Sequence, residues 1–272
     1  MNRYALICRA INDNSHITQR EMAEKLDISL GNANKYIKEC IEEGYITLDK
    51  GEYLLTKPGS SFLEGFRVDN AVIFAAGFGS RFVPLTFETP KGLLEVLGER
   101  MIERQIKQLH EVGIHKITIV VGYLKEKFEY LIDKYNVELL YNAEYSTKNN
   151  LSTLYHSRHL FKNTYLLSSD NWMRENIFHT YEAGPWYSSV FQEGETSEWC
   201  LSIDKKNRIT DVTVGGLDTY VMYGPVYFDA EFSNSFIPMI EEAYERPGTE
   251  DFYWENIYIE NISDLTMYAY KQ

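Results

Sequence analysis

One short stretch constrains this chain more than any other. The apolar run Ala71–Ala76 passes without a break into Ala75-Ala-Gly-Phe-Gly-Ser-Arg81. A buried strand that ends in glycines must turn sharply, and Gly77 and Gly79 let the backbone aim its N–H groups at an anion. Arg81 adds a fork of donors suited to phosphate oxygens, and Lys91 adds a point charge ten residues later. The loop lacks the Gly-Lys-Ser/Thr ending of a P-loop and the third glycine of the dinucleotide fingerprint. Beyond it, strands and helices alternate. A helix is expected over Glu99–Val112, with Ile102, Ile106, Leu109 and Val112 on one face, then a strand over Lys116–Val121. Further helices over Lys125–Lys134 and Leu151–Phe161 alternate with strands over Val137–Tyr141 and Thr164–Ser169. This order predicts an α/β domain with a mostly parallel sheet and helices on both faces. In such sheets the ligand lies beyond the carboxyl ends of the strands.

The first sixty residues read differently. A helix near Tyr4–Ile11 is followed by Thr18–Leu26, which opens on a capping box from Thr18 to Glu21. Ser29 can cap a third helix with the stripe Ala33, Tyr36, Ile37, Cys40 and Ile41, and Gly44 ends it. Two strand-like runs, Tyr45–Leu48 and Tyr53–Thr56, flank a Lys50-Gly51 turn. The order resembles the winged helix-turn-helix of bacterial regulators. The resemblance implies DNA binding through Ser29–Glu43 in a major groove, and the same fold also serves as a small interaction or regulatory appendage. Residues 1–60 carry eight basic and nine acidic side chains, so this module offers little for phosphate contacts. Lys57-Pro-Gly-Ser-Ser61 reads as a linker. Domain boundaries are accordingly expected at 1–60 and 68–272.

Charge and composition exclude several classes. The formal net charge of −13 runs against a chain that is mainly a nucleic-acid binder. The acidity is concentrated after residue 60, with nineteen basic against thirty-one acidic residues. Cys8, Cys40 and Cys200 are widely spaced, which argues against a disulfide framework or zinc site and fits a reducing cytoplasm. No apolar run approaches the roughly 18 residues of a membrane span, and the start has no secretory leader, so no membrane partner is expected.

The whole string from Ala75 through Pro90-Lys91, with Val120-Val-Gly-Tyr-Leu-Lys125, Tyr141-Asn142, Asn149-Asn150, Ser169-Asp-Asn171, Glu198-Trp199 and Asp251-Phe-Tyr-Trp-Glu-Asn256, is much more specific. It resembles the nucleotidyltransferases, and among them the bacterial CTP:phosphocholine cytidylyltransferases, over about residues 70–270. The resemblance implies a Rossmann-like nucleotidyltransferase fold. It also implies that CTP and phosphocholine react on Mg2+ to give CDP-choline and pyrophosphate. Relatives of this kind usually continue further, sometimes into a choline-kinase-like domain, so a further C-terminal domain is expected in the full-length protein.

Roles follow from the resemblance position by position. Ala75, Ala76, Gly77, Gly79, Ser80 and Arg81 would wrap the triphosphate, with Arg81 and Lys91 acting on the reacting phosphates. Asn149, Asn150 and Ser152 would lie at the pyrimidine base, with Gly122 and Tyr123 close by, while helix capping is an equally good reading of the two asparagines. Asp170 would hold Mg2+, with Glu255 as the second acidic ligand and Asp251 as the fallback. Tyr187, Trp199 and Trp254 would cage the quaternary ammonium, which cannot donate a hydrogen bond. Tyr220 and Tyr227 read better as sheet residues.

Alternative readings stay open at this level. Phosphoethanolamine or aminoethylphosphonate would need hydrogen-bond acceptors for a primary ammonium. A sugar-1-phosphate would need side chains reading hydroxyls. A DNA-binding regulator with a nucleotide-sensing domain need not keep Arg81, Lys91 and Asp170.

Overall fold

The computed structural model describes all 272 residues, Met1–Gln272. They divide into two compact units, Met1–Val68 with His179–Gly184, and Asp69–Phe178 with Pro185–Gln272.

In the first unit, α1 (Arg3–Asp13), α2 (Gln19–Lys25) and α3 (Leu30–Glu42) precede an antiparallel hairpin of β1 (Ile46–Asp49) and β2 (Glu52–Leu55). The capping box is present: Glu21 N donates to Thr18 Oγ1 at 3.2 Å and Thr18 N to Glu21 Oε2 at 2.8 Å. Ser29 caps α3, and Gly44 leaves it at φ +73°. Ile7, Ile11, Met22, Ile37, Ile46 and Leu63 form one apolar core.

The linker expectation fails here, because Lys57–Glu64 is a helix, α4. Thr56 Oγ1 caps it by accepting from Gly59 N at 3.0 Å, and Pro58 sits in the first turn, where a missing N–H costs nothing. A Cβ at position 59 would fall 1.9 Å from Tyr45 O. The glycine marks close packing of α4 on the hairpin, not a flexible joint. His179–Gly184, placed by the sequence in the later region, belongs to this unit as well. There Arg9 Nη1 meets Glu182 Oε2 at 2.6 Å, both side chains nearly closed off from water.

The second unit is built on a seven-stranded sheet. Its strands are β3 (Asn70–Ala75), β6 (Ile117–Val121), β7 (Glu138–Tyr141), β8 (Thr164–Ser168), β9 (Trp186–Ile203), β10 (Ile209–Phe228) and β11 (Tyr268–Lys271). The order is β11-β9-β10-β8-β3-β6-β7, and four of the six neighbouring pairs are parallel. The short strands β4 (Glu95–Val96) and β5 (Glu99–Arg100) pair with each other. Five helices complete the unit: α5 (Met101–Glu111), α6 (Tyr130–Tyr135), α7 (Asn150–Ser157), α8 (Ala230–Glu245) and α9 (Trp254–Glu260).

Val72 and Val120 from the parallel strands, Leu151 and Leu154 from α7, Phe236 from α8 and Trp254 from α9 meet in one core. The helix expected over Lys125–Lys134 is split, with a 3-10 turn at Lys125–Phe128 ahead of α6. The one over Leu151–Phe161 likewise tightens into 3-10 geometry after Ser157. No helix is long and apolar enough to cross a membrane.

Candidate active site

A cleft of about 480 Å³ opens where β3 and β8 end. Its walls are four chain segments: the glycine loop Phe74–Phe82 with Lys91 and Gly92, the segment Tyr145–Asn150 with Thr153, Ser168–Asp170, and the pair Asp251 and Tyr253. This is the edge where an open α/β sheet binds ligands.

The glycine loop is shaped by what glycine permits. Gly79 has φ +63°, and a Cβ there would approach Thr86 Cγ2 to 3.0 Å and Lys91 Cβ to 3.2 Å. Thr86 Oγ1 donates to Gly79 O at 3.0 Å, which ties the turn to the strand of loop returning toward Lys91. At Gly77 a Cβ would meet nothing within 4 Å, so a bare stretch of backbone faces the cleft, and any side chain there would take up ligand space. Ser80 and Arg81 also line the cleft, with Arg81 exposed.

Gly122 and Tyr123 stand behind this loop and do not line the cleft. Tyr123 N donates to Ala76 O at 3.0 Å, and the Phe78 ring packs between those of Tyr123 and Tyr145 at 5.1 and 5.3 Å. Gly122 is small because a Cβ would fall 2.6 Å from the Tyr145 side chain. Their observed part is to brace the loop.

Lys91 Nζ is ion-paired with Asp170 Oδ2 and lies 4.6 Å from the centre of the Phe82 ring. Gly92 makes the approach of the two segments possible, since a Cβ there would come within 2.6 Å of Ser169 Cβ and Oγ. Behind Asp170, the fully buried Gln105 donates through Nε2 to Ser168 O at 2.8 Å and Asn171 O at 2.6 Å. This clamp holds the strand end on either side of the carboxylate. Gln105 lies on α5, remote in sequence, and no motif marks it.

Lys148 is a cleft residue that the motif reading does not find. Its Nζ lies 3.1 Å from Glu144 Oε1 and 3.7 Å from the centre of the Tyr244 ring. Glu144 Oε2 lies 2.7 Å from His156 Nε2 and accepts from Tyr244 Oη. Partial burial opposes ionisation of Glu144, but these partners outweigh it and hold the carboxyl down at about 2.

The late segment differs most from expectation. Asp251 and Tyr253 face the cleft, whereas Trp254 and Glu255, one step into α9, turn inward. Trp254 stacks on Tyr187 with centroids 5.8 Å apart and packs edge-on against Phe228 and Phe236. Tyr187 and Trp254 are buried in the core, and neither lines the cleft. Glu255 Oε1 accepts from Tyr187 Oη at 3.0 Å, and Oε2 is buried without a partner. Burial pushes its carboxyl up to about 7, as expected of an acid shielded from water. Glu255 does not line the cleft, whereas Asp170 and Asp251 do. Trp199 does not line the cleft itself, but its ring is edge-on to that of the cleft residue Tyr253, centroids 5.8 Å apart.

Asn149 and Asn150 do line the cleft, while Ser152 is fully buried beneath them. Ser152 Oγ donates to Asn149 O and accepts from Asn142 Nδ2, each at 2.9 Å, which fills its hydrogen-bonding needs. Thr153 takes the wall position instead.

Asp170 and Asp251 are the carboxylates in the cleft, and no three metal-ligating side chains converge anywhere in the chain. Magnesium takes hard oxygen donors and keeps much of its water, so one or two carboxylates beside phosphate oxygens suit it. Arg81, Lys91 and Lys148 supply positive charge around the same space. The arrangement can hold a polyphosphate against bare backbone with a cation at the end of β8.

Comparison with known proteins agrees with this geometry. Residues 70–183 match the family model described as nucleotidyl transferase, and residues 6–47 the model described as winged helix-turn-helix DNA-binding. The chain is 37% identical over 199 residues to the choline-phosphate cytidylyltransferase of Streptococcus pneumoniae, covering 73% of this chain and 87% of that protein. It is 36% identical over 202 residues to the 2-aminoethylphosphonate cytidylyltransferase of Lancefieldella rimae, covering 73% and 82%. The solved structure of CTP:phosphocholine cytidylyltransferase from Streptococcus pneumoniae superposes with a TM-score of 0.73, covering 76% of this chain and 90% of that one.

Proposed function

Because the chain belongs to the nucleotidyltransferase family, among relatives named choline-phosphate cytidylyltransferase, we propose that it transfers the cytidylyl group of CTP to phosphocholine, giving CDP-choline and pyrophosphate. The observation that carries the acceptor is the Trp199–Tyr253 pair. The Tyr253 ring lines a cleft that also holds Asp251 and meets the Trp199 ring edge-on, and a cation without hydrogen-bond donors is held by ring faces and nearby negative charge.

The chemistry asks for positioning more than for acid–base groups. A phosphate oxygen of the acceptor is already anionic and attacks the α-phosphorus in line with the departing pyrophosphate. Two anions must be brought together, so the backbone of Gly77 and Gly79, the Ser80 hydroxyl and the Arg81 guanidinium would gather the triphosphate. Lys91, held against the end of β8 by the Gly92–Ser169 contact, is placed to take charge developing on the transferred group. Asp170 would hold Mg2+, which when bound neutralises charge on the triphosphate. We place the reaction in a reducing compartment, the cytoplasm, where Cys8, Cys40 and Cys200 stay the free thiols they are.

A second reading has a specific observation behind it. Asp251, beside Tyr253, would accept from a primary ammonium, and the 2-aminoethylphosphonate relative is about as similar as the choline one. Equimolar phosphocholine and 2-aminoethylphosphonate competing for one pool of CTP decide between them. An excess of CDP-choline supports the first reading and an excess of the phosphonate product the second.

The first unit carries no excess of basic side chains for phosphate contacts, with eight basic against nine acidic residues in positions 1–60. Lys35 and Lys38 of α3 are exposed, but Glu39 is bound to Arg3 at 3.1 Å and Glu42 and Glu43 follow. We propose a regulatory attachment for this unit, with DNA as one partner of that fold.

A further inference from the structure

We propose that Asn149 and Asn150 are positioning residues for the acceptor end of the cleft and do not read the nucleotide base. The proposal rests on the reading above that Asp251 and Tyr253 face the acceptor.

Their side chains are already spoken for by the chain. Asn149 Oδ1 accepts from Asn150 N at 2.8 Å, which caps α7, and Asn149 Nδ2 donates to Asp251 O at 3.2 Å. Asn150 Oδ1 accepts from Trp254 N at 2.8 Å. The main chain repeats the pattern: Asn149 N donates to Glu250 O at 2.7 Å and Leu151 N to Phe252 O at 3.4 Å.

These bonds fall on the connection between α8 and α9, which has no ladder or helix of its own to hold it. Its other ties are local. Thr249 Oγ1 caps the end of α8 by donating to Ala243 O and Arg246 O, each at 2.8 Å, and Asn256 Oδ1 receives Tyr253 N at 2.8 Å. The start of α7 is thus what fixes Asp251 and Tyr253 against the cleft. An amide that holds the strap through one of its ends cannot turn to match a base edge without releasing it.

Kinetics and amide hydrogen exchange together test this. Asn150→Ala removes the bond to Trp254, and Asn149→Ser keeps a capping oxygen but is too short to reach Asp251 O. Asn149→Asp, which keeps size and cap and turns only the donor into an acceptor, guards against a variant that fails to fold. Losing one neutral hydrogen bond predicts a rise of about three- to tenfold in the KM for phosphocholine, with the KM for CTP within about twofold and exchange over 249–256 accelerated.

A larger rise in the KM for CTP, or unchanged exchange over 249–256, overturns the proposal. If the wild-type enzyme turns over no phosphocholine, it is the functional reading that fails. Exchange and calorimetric CTP binding, unchanged in the variants if they only position the strap, then decide the present proposal by themselves.

Discussion

Lys91 and Asp170 lie 79 residues apart and meet as an ion pair in the wall of the cleft. Two contacts with no charge of their own set that meeting, the close approach of Gly92 to Ser169 and the grip of Gln105 on the carbonyls of Ser168 and Asn171. Chemistry and packing are therefore separable at this site, and substitutions can address each.

Asp170→Ala removes the carboxylate at the end of β8 and leaves the surrounding backbone bonds in place. Turnover should fall by about a thousandfold, as for the loss of a group that stabilises transition-state charge. The circular dichroism spectrum should not change. Retained activity would move the cation site elsewhere.

Gly92→Ala pushes a methyl group to within 2.6 Å of the Ser169 side chain. The Lys91 segment must shift, and a displacement of about 1 Å near reacting groups costs on the order of a hundredfold. Ser169→Gly in the same chain clears the space and should restore most of the loss. Failure of that rescue would mean the contact does not set the pair.

The two tryptophans should part company. Trp254→Ala empties a core position beside Tyr187, Phe228 and Phe236 and should lower stability by about 3–5 kcal/mol in chemical denaturation. Trp199→Ala should leave the unfolding midpoint nearly unchanged and raise the KM for phosphocholine about tenfold more than that for CTP. Equal effects on both substrates would remove Trp199 from the acceptor site.

Glu255 makes stability depend on pH in a definite direction. Its carboxyl is raised from an ordinary value of 4.5 to about 7 in the folded chain, so between these values the native state binds the extra proton. The stabilisation is fully present below pH 4.5 and is lost as pH rises through 7. Urea titrations should show stability falling over this window by up to about 3 kcal/mol, a slope that Glu255→Gln should flatten. An unchanged slope in that variant would assign the pH dependence to another group.

Local signals were legible in the sequence, and helix phase was not. The Thr18–Glu21 capping box, the Ser29 cap and the strand running into Gly77 depend on neighbours a few residues away, and each is where its residues say. Lys57–Ser61 resembles a linker because Pro and Gly carry two meanings. Only the Tyr45 carbonyl, across the hairpin, shows that Gly59 is a packing glycine.

Along Asp251–Glu255 the residue types suit a site throughout. Which of them face the cleft depends on where α9 begins and on how α7 holds the strap, neither of which is written in the motif. Gln105 and Lys148 gave no signal, since one acts through backbone carbonyls and the other is placed by Glu144 and Tyr244.

The most direct test of the account is pyrophosphate release with Mg2+ across the four nucleoside triphosphates, each paired with phosphocholine, phosphoethanolamine, 2-aminoethylphosphonate and glucose 1-phosphate. The account predicts the highest kcat/KM for CTP with phosphocholine, with CDP-choline as the product. No turnover with any pair, or fastest turnover with the sugar phosphate, would contradict it.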